Sequence, residues 1–338
     1  MQTQFLTTSP AWEQAAGSWN ELLARSPADV PFLRAEFLRA WWKTLGGGEW
    51  PDGELRVAVS YDDAGRLAAA APLFWTSVRP DALMLIGTAE IADYLDVLAP
   101  QAALGAFAGS LLAAIDGGAA GGVRSLDLWN ILEDSPGGRA LTSAAHQAGW
   151  SVERTRLKAC PQIPLEGGWD SYLAGLDKKQ RHELRRKMRR VEETPGAAIV
   201  RAGDGIDLDD AVETFLRLMV FDAAKARFLT APMHAFFHAL ARAAADAGWL
   251  RLELLMVGGQ PAAGAFCFDY GSRLLVYNSG MDPSFHALSP GWALLGGLIR
   301  SACQDGKLAI DLMRGDEAYK FRLGGQARYI ERLTLTRP

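Results

Sequence analysis

The sequence predicts an α+β protein with two related domains, each built on a mixed central sheet flanked by helices. Helical and strand patterns alternate along the chain, with turn signals between them. The same order of elements occurs twice. At 338 residues the chain is also longer than one ordinary hydrophobic core requires, which favours two domains.

The repeat begins with a hairpin in each half. Residues 55–74, LRVAVSYDDAGRLAAAAPLF, show the pattern of a strand, an Asp-Asp-Ala-Gly turn and a second strand. Residues 250–268, LRLELLMVGGQPAAGAFCF, show a strand, a Gly-Gly turn and a second strand with nearly the same spacing. The two segments therefore predict equivalent hairpins.

A strand, a helix and a short strand follow each hairpin. In the first half these are LMLIG, PQAALGAFAGSLLAAIDGG and SLDLWN, and in the second SRLLVYNSG, SPGWALLGGLIRSACQDG and AIDLMRG. Asp127 and Asp311 occupy matching positions in the last strands. A repeat of this length predicts duplicated domains, at residues 1–160 and 161–338, because prolines and glycines in LKACPQIPLEGG (157–168) mark a boundary.

Composition excludes several classes of protein. Apolar residues make up 49% of the chain and charged residues 22%, as in globular proteins. No apolar run reaches the length of a membrane span, and MQTQFLTTSPAWEQ lacks the features of a signal peptide, so we expect a cytoplasmic protein with no transmembrane segment. The three cysteines are far apart and the histidines lack ligand spacing, so we expect no metal.

One basic segment departs from the net charge of −4. Residues 178–190, KKQRHELRRKMRR, contain eight Lys or Arg and one Glu. Apolar residues recur at helical spacing in and before it: Leu173, Leu176, Leu184, Met188 and Val191. The pattern predicts an amphipathic helix whose basic face is either simply solvated or binds an anionic partner, such as a phosphorylated substrate, tRNA or a membrane surface. The acidic chain as a whole gives no reason to expect specific DNA binding.

A second segment predicts a helix that starts sharply. In SFHALSPGWALLGGLI (284–299), Ser289 has the position of an N-cap, Pro290 the first helical position and Gly291 the second. Glycine in a helix costs about 1 kcal/mol relative to alanine, so Gly291 favours close approach of a ligand to the backbone. Since helix N-termini attract anions, we expect a phosphate there, with an ordinary Ser-Pro helix start as the alternative.

The order of elements in each half resembles the Gcn-type N-acetyltransferase (GNAT) fold. In that family a [Q/R]-x-x-G-x-[G/A] loop before the equivalent helix binds the pyrophosphate of acyl-coenzyme A. His286, Ser289 and Gly291 stand at the consensus positions, and only Gly291 keeps the consensus residue. The resemblance implies that these three residues, with Pro290 and Trp292, bind acetyl-CoA or another acyl-CoA. The first domain, where the segment is LAPQAALG, is then a degenerate copy.

Longer segments resemble the CelD-like acetyltransferases associated with bacterial cellulose and exopolysaccharide synthesis, which are related to the FemABX peptidyl transferases. These segments are PFLRAEFLRAWWKTLGG (31–47), ADYLDVLAP (92–100), RHELRRKMRRVEE (181–193) and LSPGWALLGGLIRSACQDGKLAIDLMRGDEAYKFRLGG (288–325). The CelD-like resemblance implies acetyl transfer to an amine or hydroxyl acceptor, such as that of a polysaccharide or its precursor. The FemABX resemblance implies aminoacyl transfer from charged tRNA instead. A third hypothesis is a catalytically silent scaffold in polysaccharide synthesis.

The segment DLMRGDEAYKFR (311–322) contains the side chains that acyl transfer from a thioester requires. Asp316 and Glu317 are candidate general bases, and Tyr319 is a candidate proton donor to the leaving thiolate. Lys320 is a further catalytic candidate, whose ammonium can pair with coenzyme or substrate phosphates. The alternative is a helix that starts at Gly315, in which Asp316 and Lys320 form an ordinary i,i+4 salt bridge.

Other polar residues are candidates for binding the acceptor. Arg314 lies in the same segment, and Lys225 lies near the end of a predicted helix in MVFDAAKARFLT (219–230). In ADYLDVL, Asp93, Tyr94 and Asp96 follow a predicted strand, where they are expected to line a groove between the domains and bind sugar hydroxyls. The alternative for the acidic pair is an ordinary polar loop.

Overall fold

A computed structural model describes residues 1–338, which divide into two compact units. Unit 1 consists of Met1–Lys158 and Tyr329–Pro338, and unit 2 of Ala159–Arg328. The division differs from the domains 1–160 and 161–338 in the assignment of the C-terminal strand, because that strand pairs with a strand of unit 1. None of the helices is both long enough and apolar enough to span a membrane.

Unit 1 contains four α-helices and two sheets. Its elements in chain order are β1 (Gln4–Leu6), α1 (Ser9–Ala24), α2 (Ala35–Gly48), β2 (Glu54–Leu55), β3 (Val57–Tyr61), β4 (Leu67–Ala71), β5 (Leu73–Trp75), β6 (Ala82–Leu85), α3 (Leu104–Asp116), β7 (Ser125–Leu132), α4 (Pro136–Gln147) and β8 (Ser151–Pro164), and short 3₁₀ turns lie at Pro31–Leu33 and Gln101–Ala103. Strand β8 runs on into unit 2.

The predicted hairpin of unit 1 forms between β3 and β4, and β1 adds to its free edge, giving the order β1-β3-β4. The second sheet has the order β8-β15-β7-β6-β5-β2, in which β15 is the C-terminal strand. Helix α3 connects β6 to β7, which are parallel. The core of the unit includes Trp19 and Trp41, both fully buried, and Trp41 packs edge-on to Phe74.

Unit 2 repeats this order with longer strands. Its elements are α5 (Gly168–Gly175), α6 (Lys178–Glu192), β9 (Ala197–Ala202), β10 (Gly205–Ile206), α7 (Leu208–Met219), α8 (Ala223–Phe228), α9 (Ala231–Asp246), β11 (Leu250–Val257), β12 (Gln260–Tyr270), β13 (Arg273–Met281), a 3₁₀ turn (Pro283–Leu288), α10 (Pro290–Gln304), β14 (Ala309–Asp311) and α11 (Ala318–Arg322). The last strand, β15 (Gln326–Thr336), starts in unit 2 and lies mostly in unit 1. The sheet of unit 2 has the order β10-β9-β11-β12-β13-β14-β8.

The predicted second hairpin is confirmed as β11 and β12, and β13 continues the antiparallel sheet. Helix α10 then connects β13 to β14, which is parallel to it, as α3 connects β6 to β7 in unit 1. Asp127 and Asp311, the matched aspartates, are both buried. Each unit therefore contains the hairpin and the strand-helix-strand crossover that the sequence repeat predicted.

The basic segment forms helix α6, which packs against α10. Its apolar side chains Leu184, Met188 and Val191 are buried, as predicted. A Cβ at Gly296 of α10 would lie 2.7 Å from Met188 Sδ, so glycine permits the close approach of the two helices. The prediction that Leu173 and Leu176 belong to the same helix is wrong. Helix α5 ends at Gly175, and Asp177 caps a new helix by accepting from two amides of its first turn.

Candidate active site

Strands β13 and β14 diverge in the middle of the unit 2 sheet. Their pairing ends at Leu275, which lies opposite Asp311, although β13 continues to Met281. Beyond Asp311 the chain keeps only its pairing with β8, with the Leu312 N–H donating to the Pro161 carbonyl at 2.9 Å. One edge of β13 therefore has no strand partner over its last residues, which are only half-buried or exposed.

Helix α10 begins beside this open edge. Ser289, the predicted N-cap, has a left-handed backbone conformation (φ 53°, ψ 53°), and its side chain caps no amide. The predicted N-cap position of Ser289 is confirmed, but its hydroxyl does not cap the helix, because capping residues have extended backbones that turn the side chain towards the first turn. The Gly291 N–H has no partner within the protein. A Cβ at Gly291 would meet only Met281 Sδ, at the ordinary contact distance of 3.4 Å.

Cationic side chains of α6 lie next to the start of α10. The Lys187 ammonium lies 4.1 Å from the ring centroid of Trp292, a cation–π contact. The Arg190 guanidinium donates to the carbonyl of Ala287, in the turn that leads into α10. His286, in the same turn, is exposed, and its Nδ1 lies 3.2 Å from the Pro283 carbonyl oxygen. The five predicted cofactor residues therefore share one region, in which Pro290 is buried and Trp292 supports a lysine.

The segment between β14 and α11 folds around the Lys320 ammonium. Only 4% of Lys320 is exposed, and its Nζ donates to the carbonyls of Met313 at 3.1 Å and Arg314 at 2.7 Å. Glu317 Oε2 lies 3.1 Å from the same nitrogen. The three protons of the ammonium thus have three acceptors, and Lys320 holds the loop in place. The main chain of Arg314 takes part in this contact.

The helix in this segment begins later than the sequence predicted. It starts at Ala318, so the predicted helical pair of Asp316 and Lys320 is wrong, and Glu317 takes the place of Asp316 as partner. Gly315 is the cause. Its φ of 129° is strained for other residues, and a Cβ there would lie 2.2 Å from Glu317 Oε2. Asp316 is exposed in the loop.

Tyr319 is the second residue of α11, and 37% of its surface is exposed. Partial burial of the phenol and the charge of Glu317 raise the pKa of Tyr319 to about 12. The hydroxyl therefore keeps its proton at neutral pH. Glu317, whose side chain is 56% exposed, remains accessible from solvent.

Lys225 connects α8 to the open edge of β13. Its Nζ donates to the Ser279 carbonyl at 2.5 Å. Withdrawal from water lowers the pKa of Lys225, while the charges of Asp222 and Glu317 oppose that shift and Lys320 adds to it. These interactions show that Lys225 is within electrostatic range of Glu317 and Lys320. In unit 2, Glu317 thus pairs with Lys320, and Lys225, which contacts the edge of β13, is affected by both of their charges.

The structure places the predicted groove residues of unit 1 in its interior. Asp93, Tyr94 and Asp96 are each at most 4% exposed. Asp96 accepts from the Val97 N–H at 2.8 Å and from the Ser135 hydroxyl, at the start of α4. Burial raises its pKa to about 6. These contacts give Asp96 a structural role, so the expected position of this cluster on a groove is not what the structure shows.

Sequence reasoning missed two residues at the site, Asn278 and Ser279, which form the open edge of β13. The polar Asn-Ser-Gly run at the end of an otherwise apolar strand was the available signal. No group of three or more His, Cys, Asp or Glu residues in the described chain is arranged to hold a metal ion.

Comparison with known proteins defines the fold. A family model described as "Acetyltransferase (GNAT) domain" matches residues 178–321. A tandem GNAT protein from the clavulanic acid biosynthesis pathway is similar in structure over 100% of this chain and 99% of its own, with 14% identity and a TM-score of 0.53. The chain has a tandem GNAT fold.

Two further solved structures are similar over nearly the whole tandem GNAT chain. FemX has 13% identity and a TM-score of 0.66, and the match covers 98% of this chain and 97% of FemX. The C-terminal domain of a putative lysylphosphatidylglycerol synthetase from Agrobacterium fabrum has 11% identity and a TM-score of 0.58, with 96% and 91% covered. No curated protein matches in sequence. The CelD-like resemblance stays a prediction.

Proposed function

We propose that the protein transfers an acyl group, most simply acetyl, from an acyl-CoA thioester to an amine or hydroxyl. The observation that carries this proposal is the divergence of β13 from β14 beside the start of α10 in unit 2. It provides an unpaired strand edge next to an uncapped helix N-terminus. An unpaired strand edge suits an extended arm that carries amides, and a helix N-terminus suits a diphosphate.

The residues present fit acyl-CoA. The Gly291 N–H has no partner in the chain, and little of the protein lies where a Cβ would project. The positive end of the α10 dipole and the cations Lys187 and Arg190 favour phosphate at this point. The coenzyme would supply an activated thioester with a good leaving group.

The side chains near the end of β14 suit the proton transfers of acyl transfer. Glu317 is an accessible carboxylate and can accept the proton of the acceptor amine or hydroxyl as its N or O bonds to the acyl carbon. Tyr319 remains protonated and can donate to the sulfur as the C–S bond breaks. Lys320 positions both residues by fixing the loop and is not itself free to transfer a proton.

A matched pair of glycine variants tests this proposal. Gly291 is the second residue of α10, and Gly105 is the second residue of α3, the equivalent helix of unit 1. A Cβ at Gly105 meets nothing within 4 Å and one at Gly291 meets only Met281 Sδ at 3.4 Å, so we expect both variants to keep the fold. We expect G291V to weaken coenzyme A binding in calorimetry by at least about tenfold and G105V to leave it unchanged.

Equal affinities for the wild type, G291V and G105V would contradict the assignment of this site. Absence of coenzyme A binding by the wild-type protein would contradict the proposed activity and favour a silent scaffold. For the acceptor, we propose a sugar hydroxyl or amine of a polysaccharide or its precursor, on the basis of the CelD-like resemblance alone. A screen of saccharide acceptors with the acetyl-CoA-dependent release of free thiol tests that part.

A second candidate function is aminoacyl transfer from charged tRNA. The observation that favours it is the exposed basic face of α6, where Lys178, Lys179 and Arg185 are exposed and have no acidic partner. RNA binding through such residues falls steeply with salt. Binding of tRNA that weakens by orders of magnitude between low and physiological salt, together with no binding of coenzyme A, would favour this function over the first.

A further inference from the structure

The backbone of Ser279 in β13 faces the open edge. The Asp282 N–H donates to the Ala262 carbonyl at 3.0 Å, and hydrogen-bonded pairs alternate in an antiparallel ladder. Gly280 therefore belongs to the next bonded pair, and Ser279, opposite Ala265, is a non-bonded residue with respect to β12. Its N–H and carbonyl point away from β12, towards the side from which β14 has diverged.

Two side chains occupy these edge groups. The Ser279 N–H donates to Asn278 Oδ1 at 2.9 Å, and the Ser279 carbonyl accepts from Lys225 Nζ at 2.5 Å. The protein itself therefore occupies the hydrogen-bonding groups of the β13 edge at the point where an extended ligand would pair with it. Side chains that cover an edge in this way prevent it from recruiting another strand.

The two contacts differ in how strictly they compete with a ligand. An N–H has one proton, so the Ser279 amide cannot serve Asn278 and a ligand carbonyl together. The carbonyl has two lone pairs and can accept from Lys225 and from a ligand amide at once. A displaced Lys225 ammonium also has a carboxylate near it, since the charge of Glu317 already acts on it.

We propose that Asn278 and Lys225 form a displaceable cap on Ser279, which the amide-bearing arm of the acyl donor must replace in order to pair with β13. This inference rests on the proposed function. Because a ligand must break the cap before it can pair with the strand, the cap lowers the affinity for an arm that gains only one amide contact. It therefore selects donors whose arm is bound along the length of the strand. Asn278 is the dominant part of the cap, and Lys225 the weaker part.

Calorimetry with the two halves of coenzyme A tests the cap. Pantetheine carries the arm without phosphates, and adenosine 3′-phosphate 5′-diphosphate carries the phosphates without the arm. We expect N278A to bind pantetheine about fivefold more tightly than the wild type, the worth of one hydrogen bond, and to bind the nucleotide unchanged. N278D keeps an acceptor oxygen at the same place and should behave as the wild type.

Lys225 is compared with a cation of the same helix. Arg227 is exposed on α8, away from Ser279. We expect K225M to tighten pantetheine binding by less than N278A does, about twofold, and R227M to have no effect. Comparison of K225M with R227M separates loss of the Lys225 contact from the general effect of removing a positive charge.

The outcomes distinguish the two proposals. Wild-type protein that fails to bind coenzyme A contradicts the proposed function. The cap is contradicted if N278A binds pantetheine with the affinity of N278D, if both halves of the coenzyme change equally, or if no variant binds pantetheine. Tighter binding of pantetheine by N278A alone supports the cap, even where the intact coenzyme binds weakly.

Discussion

Replacing Lys320 with methionine tests whether the buried ammonium holds the loop that carries Glu317 and Tyr319. The substitution keeps most of the side-chain volume and removes the three hydrogen bonds. Two of the lost acceptors are the carbonyls of Met313 and Arg314. A polar group left unpaired in the interior costs about 1–3 kcal/mol, whereas Glu317 is largely exposed and can turn to water. For the two carbonyls together we therefore expect K320M to lower the free energy of unfolding by about 2–6 kcal/mol.

Urea-induced unfolding, monitored by tryptophan fluorescence, measures this loss. Lys178 is an exposed lysine without an acidic partner, so K178M is the matched control and should change stability by less than about 0.5 kcal/mol. If K320M is as stable as K178M, the ammonium does not hold the loop. A folded K320M that retains full turnover would also refute the positioning role, because Glu317 and Tyr319 would then not depend on the clamp.

Two further predictions concern protonation. Folding raises the pKa of Asp96 from 3.8 to about 6, so the folded protein holds this proton more tightly than the unfolded chain does. The free energy of unfolding therefore falls as the pH rises from about 4 to about 6, by roughly 3 kcal/mol for this group. The difference in unfolding free energy between the wild type and D96N should therefore change between pH 4 and about pH 6, and a constant difference would contradict the raised pKa. Y319F should lower kcat about 100-fold and leave the affinity for coenzyme A unchanged. Because the pKa of Tyr319 is about 12, deprotonation of this residue should not reduce the wild-type rate at pH values well below 12. Full turnover by Y319F would exclude Tyr319 as the proton donor.

Local patterns were sufficient to predict much of the fold. The hairpins, the crossover helices and the basic helix follow from periodicity and turn residues within short segments. The start of α11 could not be predicted in the same way, because it depends on the backbone conformation of Gly315 and on the burial of Lys320 by the loop, which no periodicity reveals. The break at Leu176 was missed because leucines on two successive helices happen to keep one helical spacing.

The site was predicted less completely than the fold. Lys225, Glu317 and Lys320 were recognised as polar residues in suggestive segments, and the structure brings them together. The sequence could not distinguish their roles, because it does not show which lysine is buried and which is exposed. Asp96 shows the same difficulty, since an aspartate after a strand can cap an internal helix as readily as it can face a ligand. Ser279 was missed because its exposure depends on the divergence of two strands.

The assignment of the C-terminal strand has a consequence for biosynthesis. Strand β15 pairs with β7 through Ile330–Thr336, so unit 1 obtains one of its internal strands only after the whole of unit 2 has left the ribosome. Unit 2 is in effect inserted into the chain of unit 1. Its residues are complete first, and the amino-terminal unit must wait with β7 exposed along one edge. Nascent chains therefore expose the unpaired edge of β7, which is prone to aggregation, until β15 has left the ribosome, and we expect deletion of Ile330–Thr336 to destabilise unit 1.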